Sequence, residues 1–211
     1  MTQQQEFLLS QSILLPALIA LVRIKQVPEL LPLLLCLLSG ISIEIILLCT
    51  QKHELINLYL NIYVLLEFLL LSWQLRKWGA ISGNLVFIGI LLSGISFWLI
   101  TTFMNSDYGT RNHLFRLFYS LVLVLGAIEL INKLSFERIP LSKDYRFLIS
   151  LGFVVFFMYN ILVESLCIPA MNFSNHLISS IFNIKVFLNF ATNILYFTAL
   201  LCIPKKKVFT L

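Results

Sequence analysis

Glu67 stands inside the run YLNIYVLLEFLLLSWQL, residues 59–75, whose other members mostly suit lipid. A carboxylate in such surroundings can pair with a cation, take up a proton or bind a ligand. Each of these needs partners, because an unpaired buried charge is expensive. On a helix, Tyr59, Tyr63 and Glu67 recur every four residues, with Gln74 seven further on, so the four form one polar stripe. Asn57 and Asn61 form a second pair, turned away from it.

Other apolar runs repeat the pattern. Lys185, Asn189, Asn193 and Tyr196 step by four, four and three and share a narrow face. Asn160, Glu164 and Cys167 step by four and three, Glu44 lies one turn from Gly40, and Arg116 is a further intramembrane cation. Charged groups at membrane depth are rare and by default functional. Glu44, Asn61, Tyr63, Glu67, Arg116, Asn160, Glu164, Lys185, Asn189 and Asn193 are therefore the candidate lining of a pocket for a small polar ligand or for protons. Lys185 and Arg116 are the candidate cations for Glu67. Set against Glu44, Glu67 and Glu164, they leave at least one acid without a cation, as a candidate for protonation. Interhelical hydrogen bonding, at about 0.6–2 kcal/mol a bond, is the plainer account of single asparagines. It explains less well why the charges gather in one half of the bilayer.

Imidazole nitrogen suits zinc and also titrates near neutral pH. His53, His113 and His176 fall at the starts of three predicted helices, with Glu54 and Asp107 close in sequence. They are the candidate metal or pH-sensing residues, although no HxxxH or HExxH spacing prepares a site, and neither metal nor cofactor is called for. Cys49 and Cys167 fall at the same side and are candidates for a disulfide; Cys36 and Cys202 read as packing residues in apolar runs. No GxSxG, nucleotide loop, paired CxxC or paired aspartate is present, so no enzyme is indicated. The seventh helix lacks NPxxY and no DRY follows the third, which excludes the receptor class carrying those motifs.

The elements that must hold these residues follow from composition. Of 211 residues 59% are hydrophobic and 12% charged, and the mean hydropathy is +0.93. A soluble domain of this size would carry far more charge. Span-sized apolar windows fall at about 7–24, 30–50, 56–75, 81–103, 113–134, 146–167 and 178–203. The first is interrupted by Pro16. In the fourth, Gly89, Ser93 and Ser96 make a small-residue seam expected to pack against a neighbour. These windows predict an all-α membrane protein, a single seven-helix transmembrane bundle over residues 1–211.

Loop charge sets the expected orientation. Arg23, Lys25, Arg76, Lys77, Lys133, Arg138, Lys143, Arg146 and Lys205, Lys206 and Lys207 fall on one side; Lys52, Arg111, Arg116 and Lys185 fall on the other. The positive-inside rule then puts the N-terminus outside and the C-terminus in the cytoplasm. The net charge of +5 is thus a topology signal with some attraction to anionic lipid, and no nucleic-acid partner is expected. MTQQQEF has no basic residue ahead of the first apolar run, so that run is expected to stay in the mature protein. With this orientation the pocket residues lie in the outer half, Glu67 and Asn189 near the middle, and the inner half is nearly bare. Its one acid, Glu129, is expected to pair with Lys133 one turn later.

No connection exceeds about a dozen residues, too few for a soluble domain. Output must go through another protein or through transport. The expected function is a sensor or receptor subunit in a cell membrane, of a size that suits a bacterial inner membrane. It would bind a small polar ligand or protons from outside and signal to a separate cytoplasmic or membrane partner through the basic loop KLSFERIPLSKDYR. The alternatives are a three-plus-one-plus-three-helix transporter with Glu67 as coupling acid, and a structural subunit without a ligand.

Overall fold

Apolar runs in hydrocarbon become helices because only then is every backbone amide satisfied within its own segment. Short connections make each helix turn back along the last. A computed structural model describes residues 9, 11–50, 53–104, 110–137, 140–168 and 174–203. The helices are α1 (Leu14–Arg23), α2 (Leu31–Cys49), α3 (His53–Lys77), α4 (Asn84–Met104), α5 (His113–Ser135), α6 (Tyr145–Leu166) and α7 (Asn175–Leu201). Single 3-10 turns at Gln11–Ile13, Pro28–Leu30 and Leu141–Lys143 lead into α1, α2 and α6.

Six of these helices are long and apolar enough to cross a membrane. The chain is therefore a multi-pass helical membrane protein. The seventh expected span is shorter: Gln11–Arg23 covers roughly 20 Å of a ~30 Å hydrocarbon layer. Pro16 does not break α1. It sits in the first turn, where a missing amide hydrogen costs little.

Glycine geometry moves the predicted start of the fourth helix from 81 to 84. Gly79 and Gly83 have φ of +83° and +93°, conformations that side chains disfavour. Gly79 closes α3: Ala80 N donates to Leu75 O at 3.0 Å and Gly79 N to Arg76 O at 2.9 Å, the paired bonds of a Schellman cap. Lys133 Nζ then donates to Gly79 O and Ala80 O at 3.0 and 3.2 Å. It stands 3.3 Å from Glu129, as the helical spacing predicts. The pair thereby fastens α5 to the end of α3.

Helices α1, α2, α3, α5, α6 and α7 form a closed ring in that order, with α7 returning to α1. Helix α4 lies outside the ring on α3 and α5, and only 11% of its apolar window is buried. The expected seam of Gly89, Ser93 and Ser96 is exposed. The close approach is instead at Gly94, where a Cβ would overlap the Phe68 ring. Spacing finds a small-residue stripe but not the direction in which it faces.

One end of the ring, around Arg76, is packed shut by Leu30, Leu75, Leu130, Ile149 and Leu200, each at most 1% exposed. Gln74, itself fully buried, fastens it. Its Oε1 accepts from Leu33 N at 2.9 Å and its Nε2 donates to Glu29 O at 2.9 Å. Leu33 belongs to the first turn of α2, whose amides lack intrahelical partners. Residue Leu30 before α2 supplies no side-chain cap. Gln74 of α3 does so from across the bundle.

Candidate functional site

Towards the other end of the ring, around Arg111, a cavity of about 400 Å³ lies between α2, α3, α5, α6 and α7, with Ile13 of the turn ahead of α1 at its edge. Three tiers of side chains line it. Arg111, Arg116, Lys185 and Glu44 stand at the mouth; Tyr63, Glu67, Tyr119, Asn160 and Asn189 stand below them. Leu33, Cys36, Leu71 and Phe153 form the floor, next to the packed end.

Glu67 is held by phenols. Tyr119 OH donates to Oε2 at 3.0 Å and Tyr63 OH to Oε1 at 3.3 Å. Among the described residues no cation comes within 4 Å of it, so the expected partners Lys185 and Arg116 do not pair with it directly. Both are engaged nearer the mouth. Arg116 donates to Leu60 O at 3.2 Å, and Lys185 donates to Asn160 Oδ1 at 2.6 Å. Asn160 passes the link on, its Nδ2 donating to Ser120 Oγ at 2.8 Å. Arg116, Tyr119 and Ser120 share one face of α5 by their spacing of three and four.

Glu164 anchors the charges at the mouth and is 0% exposed. It forms an ion pair with Arg111, meets His113 Nδ1 at 2.7 Å and lies 3.7 Å from Lys185 Nζ. One acid thus ties together the start of α5, the end of α6 and a turn well inside α7. The Arg111 guanidinium also stands over the Phe182 ring, 5.3 Å from its centre, a cation–π arrangement. Arg111 Nε and Arg116 Nε are buried without a hydrogen-bond partner.

The leading turn of α1 docks on the rim through polar contacts. Gln11 Nε2 donates to Glu44 Oε2 at 3.2 Å, and Asn193 Nδ2 donates to Ser12 Oγ at 2.9 Å. Gly40 keeps this approach open, since a Cβ there would meet Ile13 Cδ1 at 2.7 Å.

Eight of the ten predicted residues line the cavity: Glu44, Tyr63, Glu67, Arg116, Asn160, Lys185, Asn189 and Asn193. Glu164 supports it from behind. Asn61 does not belong. Its Nδ2 donates to Thr110 O at 3.0 Å, its Oδ1 accepts from Asn112 N at 3.2 Å, and its own carbonyl accepts from Trp98 Nε1 at 3.1 Å. Asn61 thus clasps the α4–α5 connection, on the second stripe of α3. Asn112 extends the clasp by capping Phe115 N at 3.0 Å and donating to Thr101 Oγ1 at 2.8 Å.

Sequence reading passed over Tyr119, Ser120, Arg111, Gln11 and Ser12. Tyr119 and Ser120 carried a signal, lying one turn from Arg116; the others lie in turns and loops, where no periodicity points inward. Among the described residues no three His, Cys, Asp or Glu side chains gather as a metal site. His113 is committed to Glu164, while the side chains of His53 and His176 lie outside the described set. Cys49 and Cys167 are unbridged, Cys36 is on the cavity wall, and Cys202, expected in the core, is exposed.

Fold and site together define a multi-pass helical membrane protein with a polar cavity inside its ring of helices. Protein-family models, curated proteins and solved structures give no match to the chain.

Proposed function

We propose that this chain is a sensor or receptor subunit that binds a small polar ligand in the ring cavity and signals to a separate protein. One observation carries the reading: the charged lining of the cavity gathers towards the Arg111 end, and the Arg76 end is a packed, cross-linked floor. A transporter needs a polar route through both ends in some state; a receptor needs a site at one end and a movable element beside it. Helix α1 is the movable element here. It is short, and its leading turn is held to the rim by the Gln11–Glu44 and Asn193–Ser12 bonds. A ligand that engages Glu44 or Asn193 competes with those bonds and shifts α1.

The positive-inside rule, applied to the loop charges, supports a reading with the Arg111 end outside and the Arg76 end in the cytoplasm. The membrane is then a cell membrane, and the small multi-pass form suits a bacterial inner membrane. The α5–α6 connection, with Lys143 and Arg146, is the surface offered to a partner.

The test is a melting screen of the protein in lipid nanodiscs with a panel of amino acids, organic acids, amines and sugars. Wild type is run beside Glu67→Gln. At least one compound should raise the wild-type melting temperature and leave Glu67→Gln unmoved. A panel with no such compound overturns the reading in favour of a subunit without a ligand. Accumulation of the stabilising compound inside proteoliposomes overturns it in favour of transport.

A further inference from the structure

We infer that the cavity takes a small organic anion, with its carboxylate or phosphate between Arg116 and Lys185 and a hydrogen-bond donor on its far end meeting Glu67. This rests on the reading of the cavity as a ligand site and adds the ligand's chemistry to it.

The first support is charge. Arg111, Arg116 and Lys185 converge on the mouth, and His113 stands beside them on Glu164. Facing them at the same depth are Glu164, already shared among Arg111, His113 and Lys185, and Glu44, which accepts from Gln11. Glu67 is deeper and capped by two phenols. Among the described residues, cations therefore exceed acids in this part of the cavity.

The second support is unused donor capacity. Arg116 is 7% exposed, and one terminal nitrogen reaches Leu60 O while its buried Nε has no partner. A guanidinium carries five N–H donors and an ammonium three. Lys185 directs one to Asn160 and stands at a longer 3.7 Å from Glu164. Unmet donors in a low-dielectric site are costly, and an oxyanion meets them with charge-assisted bonds.

The third support is spacing. Leu60 O marks the Arg116 tier on α3, and Glu67 lies seven residues further on, roughly 10 Å along the axis. Apolar side chains, among them Leu47, Phe156 and Phe157, complete the wall. A carboxylate, an apolar body and a donor at the opposite end suit such a lining, and a cavity of about 400 Å³ admits a molecule with one aromatic ring.

The probe is 4-hydroxyphenylacetate, with the neutral amide 4-hydroxyphenylacetamide and the cationic tyramine sharing its body, in zwitterionic nanodiscs. The acid should stabilise wild type, and binding should weaken about ten-fold or more for the amide and for tyramine. Arg116→Gln and, as a more exposed second variant, Lys185→Gln should each lose the preference for the acid over the amide. Phenylacetate, lacking the donor, should bind more weakly than the hydroxy acid to wild type and equally to Glu67→Gln.

Equal binding of acid and amide overturns the anion while leaving a ligand cavity standing. An equal shift with inorganic phosphate alone overturns the organic body. No shift with any of these probes, from a protein that the wider compound panel does stabilise, overturns the inference as a whole. Retained acid preference in both variants overturns the assignment to Arg116 and Lys185. Uptake of the acid into proteoliposomes would refute the receptor reading and leave the anion site in place.

Discussion

The two ends of the ring are built from the same helices by different physics. At the Arg76 end, Leu75, Leu130, Ile149 and Leu200 interlock, and one buried amide, Gln74, bridges the start of α2. At the Arg111 end α2, α3, α5, α6 and α7 surround a cavity. What crosses that space is charge and hydrogen bonding: Glu164 to three bases, Lys185 to Asn160, Tyr63 and Tyr119 to Glu67. Close packing has few alternative arrangements, whereas hydrogen-bonded side chains can exchange partners with a ligand. The difference divides the bundle into a fixed base and an adaptable mouth.

Removing the charge that organises the mouth is the strongest way to break this comparison. Glu164→Gln leaves Arg111 and Lys185 without their shared acid. Loss of one partner from a buried ion pair costs about 3–5 kcal/mol. Reversible unfolding in lipid micelles should show a loss of that size. A loss under about 1 kcal/mol would mean that water already screens the mouth, as it screens exposed pairs.

Truncating the packing tests the other half. Leu75 is 1% exposed and lies against Gly126, where a Cβ would meet Leu75 Cδ1 at 2.8 Å. Leu75→Ala should cost about 2–5 kcal/mol, the range for core leucines that leave a void. Leu47→Ala, on the cavity wall, should cost less than about 1 kcal/mol, because the space beside it is already open. Equal losses would erase the distinction between base and mouth.

The polar features of the base and mouth were unevenly legible in the sequence. A charged or amide residue against an apolar background shows its face by spacing alone, so Glu67, Lys185, Asn189 and Asn193 could be placed on the cavity wall without coordinates. Asn61 failed because α3 carries two polar stripes, and periodicity does not say which one meets the cavity and which meets α4. The exclusion of α4 from the ring was invisible for a related reason. In lipid the outside of a helix is as apolar as its packed side, so hydropathy carries little direction. Tyr119 was legible one turn beyond Arg116. Arg111, Gln11 and Ser12 reach the rim from turns whose course only tertiary structure fixes.

Gln74 offers a smaller and sharper test of the base. In Gln74→Ala the Leu33 amide loses its acceptor while remaining buried. An unsatisfied buried group costs about 1–3 kcal/mol, and the stripe that Gln74 shares with Glu67 should otherwise stay intact. The informative comparison is ligand-linked stabilisation, measured beside overall stability. If Gln74→Ala lowers stability but leaves the response to a cavity ligand unchanged, base and mouth are energetically separate. If the response vanishes as well, the floor is part of the signal, and the Gln74 bridge is where ligand binding reaches the Arg76 end.

A further modest effect is expected at Asp144, which caps α6 on the rim of the base. Its Oδ1 accepts from Arg146 N at 2.8 Å, and Arg146 also reaches Glu137 Oε2 at 2.6 Å. Burial alone would push the Asp144 carboxyl up, but the side-chain and backbone hydrogen bonds from Arg146 more than reverse this and hold it below the usual range. A folded-state value below the unfolded one means that the cap is fully stabilising above the unfolded pKa of about 4 and is lost as pH falls through the lowered value. Asp144→Ala should therefore melt below wild type at neutral pH by the equivalent of about 0.5–2 kcal/mol. The gap should hold across the neutral range and close in acid. A gap that persists unchanged well below pH ~3 would show that Asp144 acts by packing and not by its charge. The α6 cap would then belong with the packing of the base, and the contrast with the charged mouth would sharpen.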